Sequence, residues 1–276
     1  MNRVVDAIDN AYAQEPEEKP RQYIGASSLG NECLAYQSFN MRGFPNTPAR
    51  PNLKRIFQFG HALEDVVVAD LKKAGFEVLE IDPDTGKQFK FSHCGGHVSG
   101  HTDGKIKVDG EWLMLEIKSM NKTSFQKFVN HGIAKSHPSY NVQMHTYMAV
   151  FDMDKALMVA ICKDNSQYHA EVVEFTDDVW TPVEERVNKV LSGSCERIST
   201  RPEDFRCKMC FKKDVCWETP DAPTIPKTSA TCKFGEPDQE KGGFFCDRCS
   251  TRGECCSEKE WRRFNSIHID IGGLID

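Results

Sequence analysis

Apolar positions along the middle of the chain recur with two periods. From residue 53 to about 74 they fall at Ile56, Phe59, Leu63, Val67 and Leu71, the spacing of a helix that buries one face, and Gly75 follows as a stop. A period of two then takes over. Residues 76–81 and 88–92 read as short strands around the turn DPDTGK. Residues 97–108 and 112–119 read as a hairpin turning at Asp109-Gly110. Helical spacing resumes over 124–131 and 140–151. Residues 156–163 and 168–175 form another strand pair around Asp164-Asn165, and Thr176 opens a helix ending near Ser192. This order predicts an α/β fold with a mixed central sheet flanked by helices.

The flanks are different. Residues 1–26 hold a short helix and a polar Pro/Glu linker, and 44–52 (FPNTPARPN) is a proline-rich loop. From Arg201 onward cysteines and turn residues accumulate. Three segments are therefore expected: the N-terminal helix and linker (1–26), the α/β domain (27–217), and a small cysteine-rich module (218–276).

Composition narrows the function classes. A 39% hydrophobic fraction permits a core, and no apolar run is long enough to cross a membrane. The opening MNRVVDAIDNAYAQEPEEKP lacks the pattern of a signal peptide, so the expected compartment is the cytosol, bacterial or of a phage-infected host. A net charge of −6 is not that of a typical nucleic-acid binder, but a carboxylate site that works with bound cations counts as acidic in the sequence. Twelve cysteines in a cytosolic chain point to metal or iron–sulfur ligation rather than disulfides. Cys94, Cys162 and Cys195 have no cysteine neighbour and read as small buried side chains.

The candidate chemistry centres on LEIKS. In a strand, Leu115 and Ile117 share one face while Met114, Glu116 and Lys118 share the other. The hairpin brings Asp103, in GHTDG, beside Glu116, and Glu64 on the long helix lies in reach of the strand ends. Three carboxylates are the oxygen set that holds Mg²⁺ or Mn²⁺ next to a phosphate, and Lys118 supplies a charge for the transition state. Gln143 and Tyr147 lie four apart on one helix stripe and suit hydrogen bonding to a phosphate or a catalytic carboxylate. Each pattern is short, and an exposed hairpin with scattered charges would also carry D…ExK.

Cys207, Cys210 and Cys216 (C-x2-C-x5-C) are one thiolate short of a closed tetrahedral metal or four-iron site, and Cys33 can supply the fourth. GHTDG, LEIKS and QMHTY in this order, framed by Cys33 and the C-x2-C-x5-C run, resemble the RecB-like branch of the PD-(D/E)XK nuclease superfamily. Its iron–sulfur members include CRISPR-adaptation nucleases, the AddB nuclease domain and related phage exonucleases. The resemblance spans 27–217 and implies a restriction-endonuclease-like core. It assigns Glu64, Asp103 and Glu116 to the metal, Lys118 to catalysis, Gln143 and Tyr147 to the QxxxY pair, and Cys33, Cys207, Cys210 and Cys216 to a [4Fe-4S] cluster. Thr102 departs from the family's pattern, which places proline before the first acid. His61 competes with Glu64 for the first motif, and the spacing from Gly60 favours Glu64.

The implied function is a metal-dependent DNA exonuclease acting on single strands or free ends in recombination, repair or end processing, with a recombination or replication protein as a further partner. The compact chain would suit a phage-encoded enzyme. A structure-selective or restriction-type endonuclease, and a non-catalytic DNA-binding module on the same fold, remain the alternatives. Beyond the resemblance, Cys246-x2-Cys249-x5-Cys255 repeats the earlier spacing and, with Cys232, offers a second four-cysteine site, for which zinc is expected and Cys256 is a substitute for Cys255. That module would grip DNA or a partner through Lys241, Arg248, Arg252 and Arg262-Arg263.

Overall fold

The computed structural model describes residues 2–16, 19–246, 248, 250–252, 263 and 264. The chain gathers into two compact units, one drawn from 1–18, 48–91 and 101–180, the other from 19–47, 92–100 and 181–276. Among the described residues no helix is long and apolar enough to cross a membrane.

The first unit is a mixed α/β layer structure. Its central sheet holds β1 (Glu77–Leu79), β2 (Gly104–Val108), β3 (Glu111–Met120), β4 (Lys155–Cys162) and β5 (Tyr168–Glu174), in the order β5-β4-β3-β2-β1. β3 and β4 run parallel, and the other neighbours are antiparallel. A parallel pair needs a long crossover. Here it is two helices, α3 (Lys122–Ser136) and α4 (Pro138–Phe151), which pack against β3 and β4. The long helix α2 (Pro51–Lys73) inserts Val67 and Val68 among Ile106, Leu113, Leu115, Ile117, Leu157, Val159 and Ile161. Met114, Glu116 and Met120, on the opposite face of β3, are buried as well. A strand covered on both faces reads as a nearly continuous apolar run, as LMLEI does. The N-terminal helix α1 (Arg3–Ala13) lies on α2 through Asp9–Arg55 (2.7 Å) and a Tyr12 hydroxyl that donates to Gln58 (2.6 Å).

Two glycines set the geometry of the central hairpin. Asp109 and Gly110 both have positive φ (+50° and +87°), as a tight two-residue turn between right-twisted strands requires. The strand expected over 97–108 is interrupted, however: it forms Val98–His101 and then β2, with Thr102 and Asp103 between them. Gly104 causes the break. Its φ is +132°, and a Cβ there would stand 2.3 Å from the Leu79 carbonyl oxygen on β1. At the break Thr102 N–H donates to Phe89 O (3.1 Å), and Gln88 donates to Thr102 O (3.1 Å).

In the second unit, Ile24 and Gly25 pair in parallel with Val98 and Ser99. The helix Leu34–Met41 contributes Ala35 and Phe39 to a core with Phe44, Cys195, Val215, Cys216 and Phe264. A small antiparallel sheet joins Gly235–Pro237, Phe244–Cys246 and Thr251–Arg252. Arg42 binds that region to the helix. It is 3% exposed, donates to Ala230 O (2.8 Å) and Gly235 O (3.1 Å), and lies 3.7 Å from the centroid of the Phe264 ring. Burial lowers its pKa to about 10.

Replacing Gly104 with alanine should cost roughly 2 kcal/mol, the scale of a residue forced into a disfavoured backbone region. The denaturation midpoint of G104A measures it, with G86A, open on all sides, controlling for the loss of glycine at a positive φ.

Candidate active site

β3 delivers Glu116 and Lys118 to the same side of the sheet, and the Lys118 ammonium ion-pairs with Glu116 Oε1. Glu116 is 1% exposed, and its Oε2 has no hydrogen-bond partner. The β2–β3 register sets Gly104 opposite Leu115, so Asp103 arrives beside Glu116. The break before Gly104 aims Asp103 inward: its Oδ2 accepts from the Ile117 N–H at 2.7 Å, fixing the carboxylate to the main chain of β3. α2 passes the end of β3, where a Cβ on Gly60 would meet Ser119 Oγ at 3.9 Å. One turn on, Glu64 Oε2 lies 3.3 Å from His61 Nδ1.

These groups feel one another electrostatically. Burial raises the Glu116 pKa to about 8; Lys118 opposes the rise, and Asp103 and Glu64 add to it. Burial also raises Asp103, against the pull of Lys118, the Ile117 N–H and His61. Glu64 is raised by burial and by Asp103. Burial works against the Lys118 ammonium, yet Glu116 and Asp103 carry its pKa above the usual lysine range. Three acids around one ammonium favour retaining a proton until another cation arrives.

Gln143 and Tyr147 on α4 do not point at an open cleft. Gln143 Nε2 donates to the Tyr147 hydroxyl (2.7 Å), which donates to the His101 carbonyl (3.0 Å), two residues before Asp103. The pair thus clamps the strand that leads into the break. Gln143 Oε1 is buried without a hydrogen-bond partner. Two groups near the acids lie outside the sequence motifs: His61, against Glu64, and Tyr140, whose ring centroid lies 5.3 Å from Lys118 Nζ. Tyr140 is three residues before Gln143, so helical spacing alone marks it as a member of the same stripe.

The second unit assembles the cysteines. The thiol of Cys210 is raised to about 11, chiefly by burial, with Cys33, Cys216 and Cys207 adding to the rise and the Lys212 amide opposing it. Cys216 and Cys207 are likewise raised by burial and by Cys33. Two N–H groups already point at sulfur: Arg197 Nε at Cys216 Sγ (3.3 Å) and the Lys212 amide at Cys210 Sγ (3.4 Å). Cys195, expected to be a plain buried thiol, is 1% exposed and feels Cys216 and Cys33 as neighbours; burial raises it to about 12. Cys232 and Cys246 are both buried, whereas Cys249, Cys255, Cys256 and Arg262 lie outside the described residues. As placed, no three His, Cys, Asp or Glu side chains among the described residues stand close enough to share one metal ion.

The donor sets nonetheless fit the groups the sequence resemblance implies. Oxygen ligands with an unpartnered buried acceptor, Glu116 Oε2, suit a hard divalent cation. Cys33, Cys207 and Cys216 all act on Cys210, and with N–H donors aimed at Cys210 and Cys216 this sulfur set suits an iron–sulfur cluster.

No family model matches the chain and no curated protein matches it. Solved structures with a similar trace include the alkaline exonuclease LHK-Exo from Laribacter hongkongensis (21% identity, 63% of this chain and 88% of that one, TM-score 0.46). The same exonuclease in complex with dAMP aligns at 19% identity over 68% and 91%, TM-score 0.48. A phage-related exonuclease from Haemophilus somnus 129PT aligns at 14% identity over 61% and 91%, TM-score 0.46.

The raised Glu116 carboxyl has a definite pH signature. Burial shifts the Glu116 pKa in the folded protein up to about 8, against the ordinary 4.5 of the unfolded chain. The folded state therefore binds more protons between those values, and stability falls as pH rises through that window. Denaturation of the metal-free protein at pH 5 and pH 9 should show a steeper loss in wild type than in Glu116→Gln, which mimics the protonated acid.

Proposed function

We propose that the chain is a divalent-metal-dependent deoxyribonuclease, working as an exonuclease on DNA ends in recombination, repair or end processing. The observation that carries this reading is the buried, unpartnered Glu116 Oε2 beside a main-chain-anchored Asp103 and the Lys118 ammonium. Asp103, Glu116 and Glu64 would hold Mg²⁺ or Mn²⁺, which when bound supplies an activated water and offsets charge on the phosphate. Glu116 orients and loads the site, and Asp103 is kept in place by the Ile117 N–H. Lys118 presents a positive charge where a phosphodiester oxygen would gain negative charge. Gln143 and Tyr147 hold the chain entering Asp103 through the His101 carbonyl. The preference for free ends follows the motif order, which resembles that of RecB-like exonucleases.

In the same reading, Cys33, Cys207, Cys210 and Cys216 hold a [4Fe-4S] cluster that cross-links the helix Leu34–Met41 to the segment 205–217. The buried Cys232 and Cys246 would be two ligands of a second, zinc site.

Anaerobically purified protein should degrade end-labelled linear DNA with Mn²⁺ and leave covalently closed circles intact. Asp103→Ala and Lys118→Ala should each lower the rate by about 10²–10³-fold, the scale of removing one preorganised electrostatic group. Undiminished cleavage in both variants would refute the site, and rapid cutting of circles would make the enzyme an endonuclease. The same preparation should be brown with absorbance near ~400 nm from thiolate-ligated iron, and Cys210→Ser should bleach it.

A further inference from the structure

We propose that Tyr140 is a positioning residue that steadies the Lys118 ammonium beside the carboxylates, its ring braced by stacking on His137; the proposal rests on the hydrolytic reading above. Lys118 Nζ lies 5.3 Å from the Tyr140 ring centroid, inside the roughly 6 Å range over which a ring face attracts a cation. The His137 and Tyr140 rings stack with centroids 5.4 Å apart and planes 11° apart. His137 is held at both nitrogens, Nε2 by Ser124 Oγ (2.6 Å) and Nδ1 by Ser136 Oγ (2.8 Å). A ring stacked on a partner fixed at two points has little freedom to turn. α3 thus supplies the hydroxyls, α4 supplies Tyr140, and β3 supplies the ammonium.

Lysine needs such help more than arginine does. Its ammonium is a point charge on a flexible four-carbon stem. Glu116 Oε1 and the Asp103 carboxylate both attract that charge, and an ammonium committed wholly to Glu116 would mask the carboxylate. The ring face attracts the ammonium without accepting all of its hydrogens, leaving N–H groups to meet a phosphate oxygen. Burial and nearby Lys127 hold the His137 pKa below its usual value, so the brace stays neutral next to Lys118. The Tyr140 hydroxyl also acts on Lys118, and Tyr140→Phe separates its contribution from that of the ring.

Two readouts test this on the full-length protein. In steady-state hydrolysis of linear DNA with Mn²⁺, Tyr140→Leu should lower kcat about tenfold with KM within about twofold of wild type. Tyr140→Phe should keep both within about twofold. Independently of activity, the ε-methylene protons of Lys118, assigned by their loss in Lys118→Met, should show an upfield ring-current shift in wild type and Tyr140→Phe. Tyr140→Leu should abolish that shift and His137→Ala should reduce it. A shift that persists in Tyr140→Leu overturns the proposal, and so does a kcat loss in Tyr140→Phe as large as that in Tyr140→Leu. A wild-type protein that shows the shift but hydrolyses no DNA supports the positioning role and sinks the nuclease reading, so the two failures are told apart.

Discussion

A carboxylate buried with one oxygen unpartnered is the constraint around which the first unit is arranged. Taking an ionised acid out of water costs several kcal/mol unless its charge is met, which is why burial favours the protonated form of Glu116 until a cation meets it. Glu116 sits on the central strand of a sheet covered on both faces, with Asp103 and Glu64 adding negative potential. Lys118 alone offsets only part of it. A structure that merely needed a stable sheet would place an apolar side chain here, as it does at Met114 and Met120 on the same face. The surroundings are consistent with a site that tolerates this cost for binding. Gly104 opens the chain so that Asp103 can turn inward, the Ile117 N–H fixes it, and Tyr147 anchors the segment before it.

The second unit meets a related difficulty with sulfur. Burial raises the thiols of Cys207, Cys210 and Cys216, and Cys216 lies in the apolar core with Phe39 and Phe44. The Arg197 and Lys212 N–H groups favour the thiolate form that a cluster would demand. Arg42 satisfies carbonyls of the terminal module while its guanidinium lies against Phe264, so its charge is buried only with hydrogen bonds and an aromatic face to compensate.

Much of the fold was legible because burial imposes periodicity. The α2 stripe, the Asp109-Gly110 turn, the strand pair flanking Asp164-Asn165 and the helix Asp177–Leu191 stand where apolar spacing and turn residues put them. The interruption at Thr102–Asp103 was not legible, since it depends on the approach of Leu79 O to Gly104, a contact between strands distant in sequence. The alternation of β3 placed Glu116 and Lys118 on one face correctly, and the hairpin register placed Asp103 beside them. Tyr140 was readable from its three-residue spacing to Gln143, but nothing in the sequence says that Lys118 leans toward it. Arg197 and Cys195 join the thiol neighbourhood only through the tertiary path of residues 195–197, for which no local pattern exists.

The claim on which the rest depends is that the three acids share one divalent ion. Anomalous diffraction from a crystal soaked in Mn²⁺ tests it most directly. The account predicts a single strong manganese peak between the Asp103 and Glu116 carboxylates, with Glu64 near it, and no such peak in a Glu116→Gln crystal. A wild-type crystal with that site free of manganese, or with the ion bound elsewhere, would contradict it.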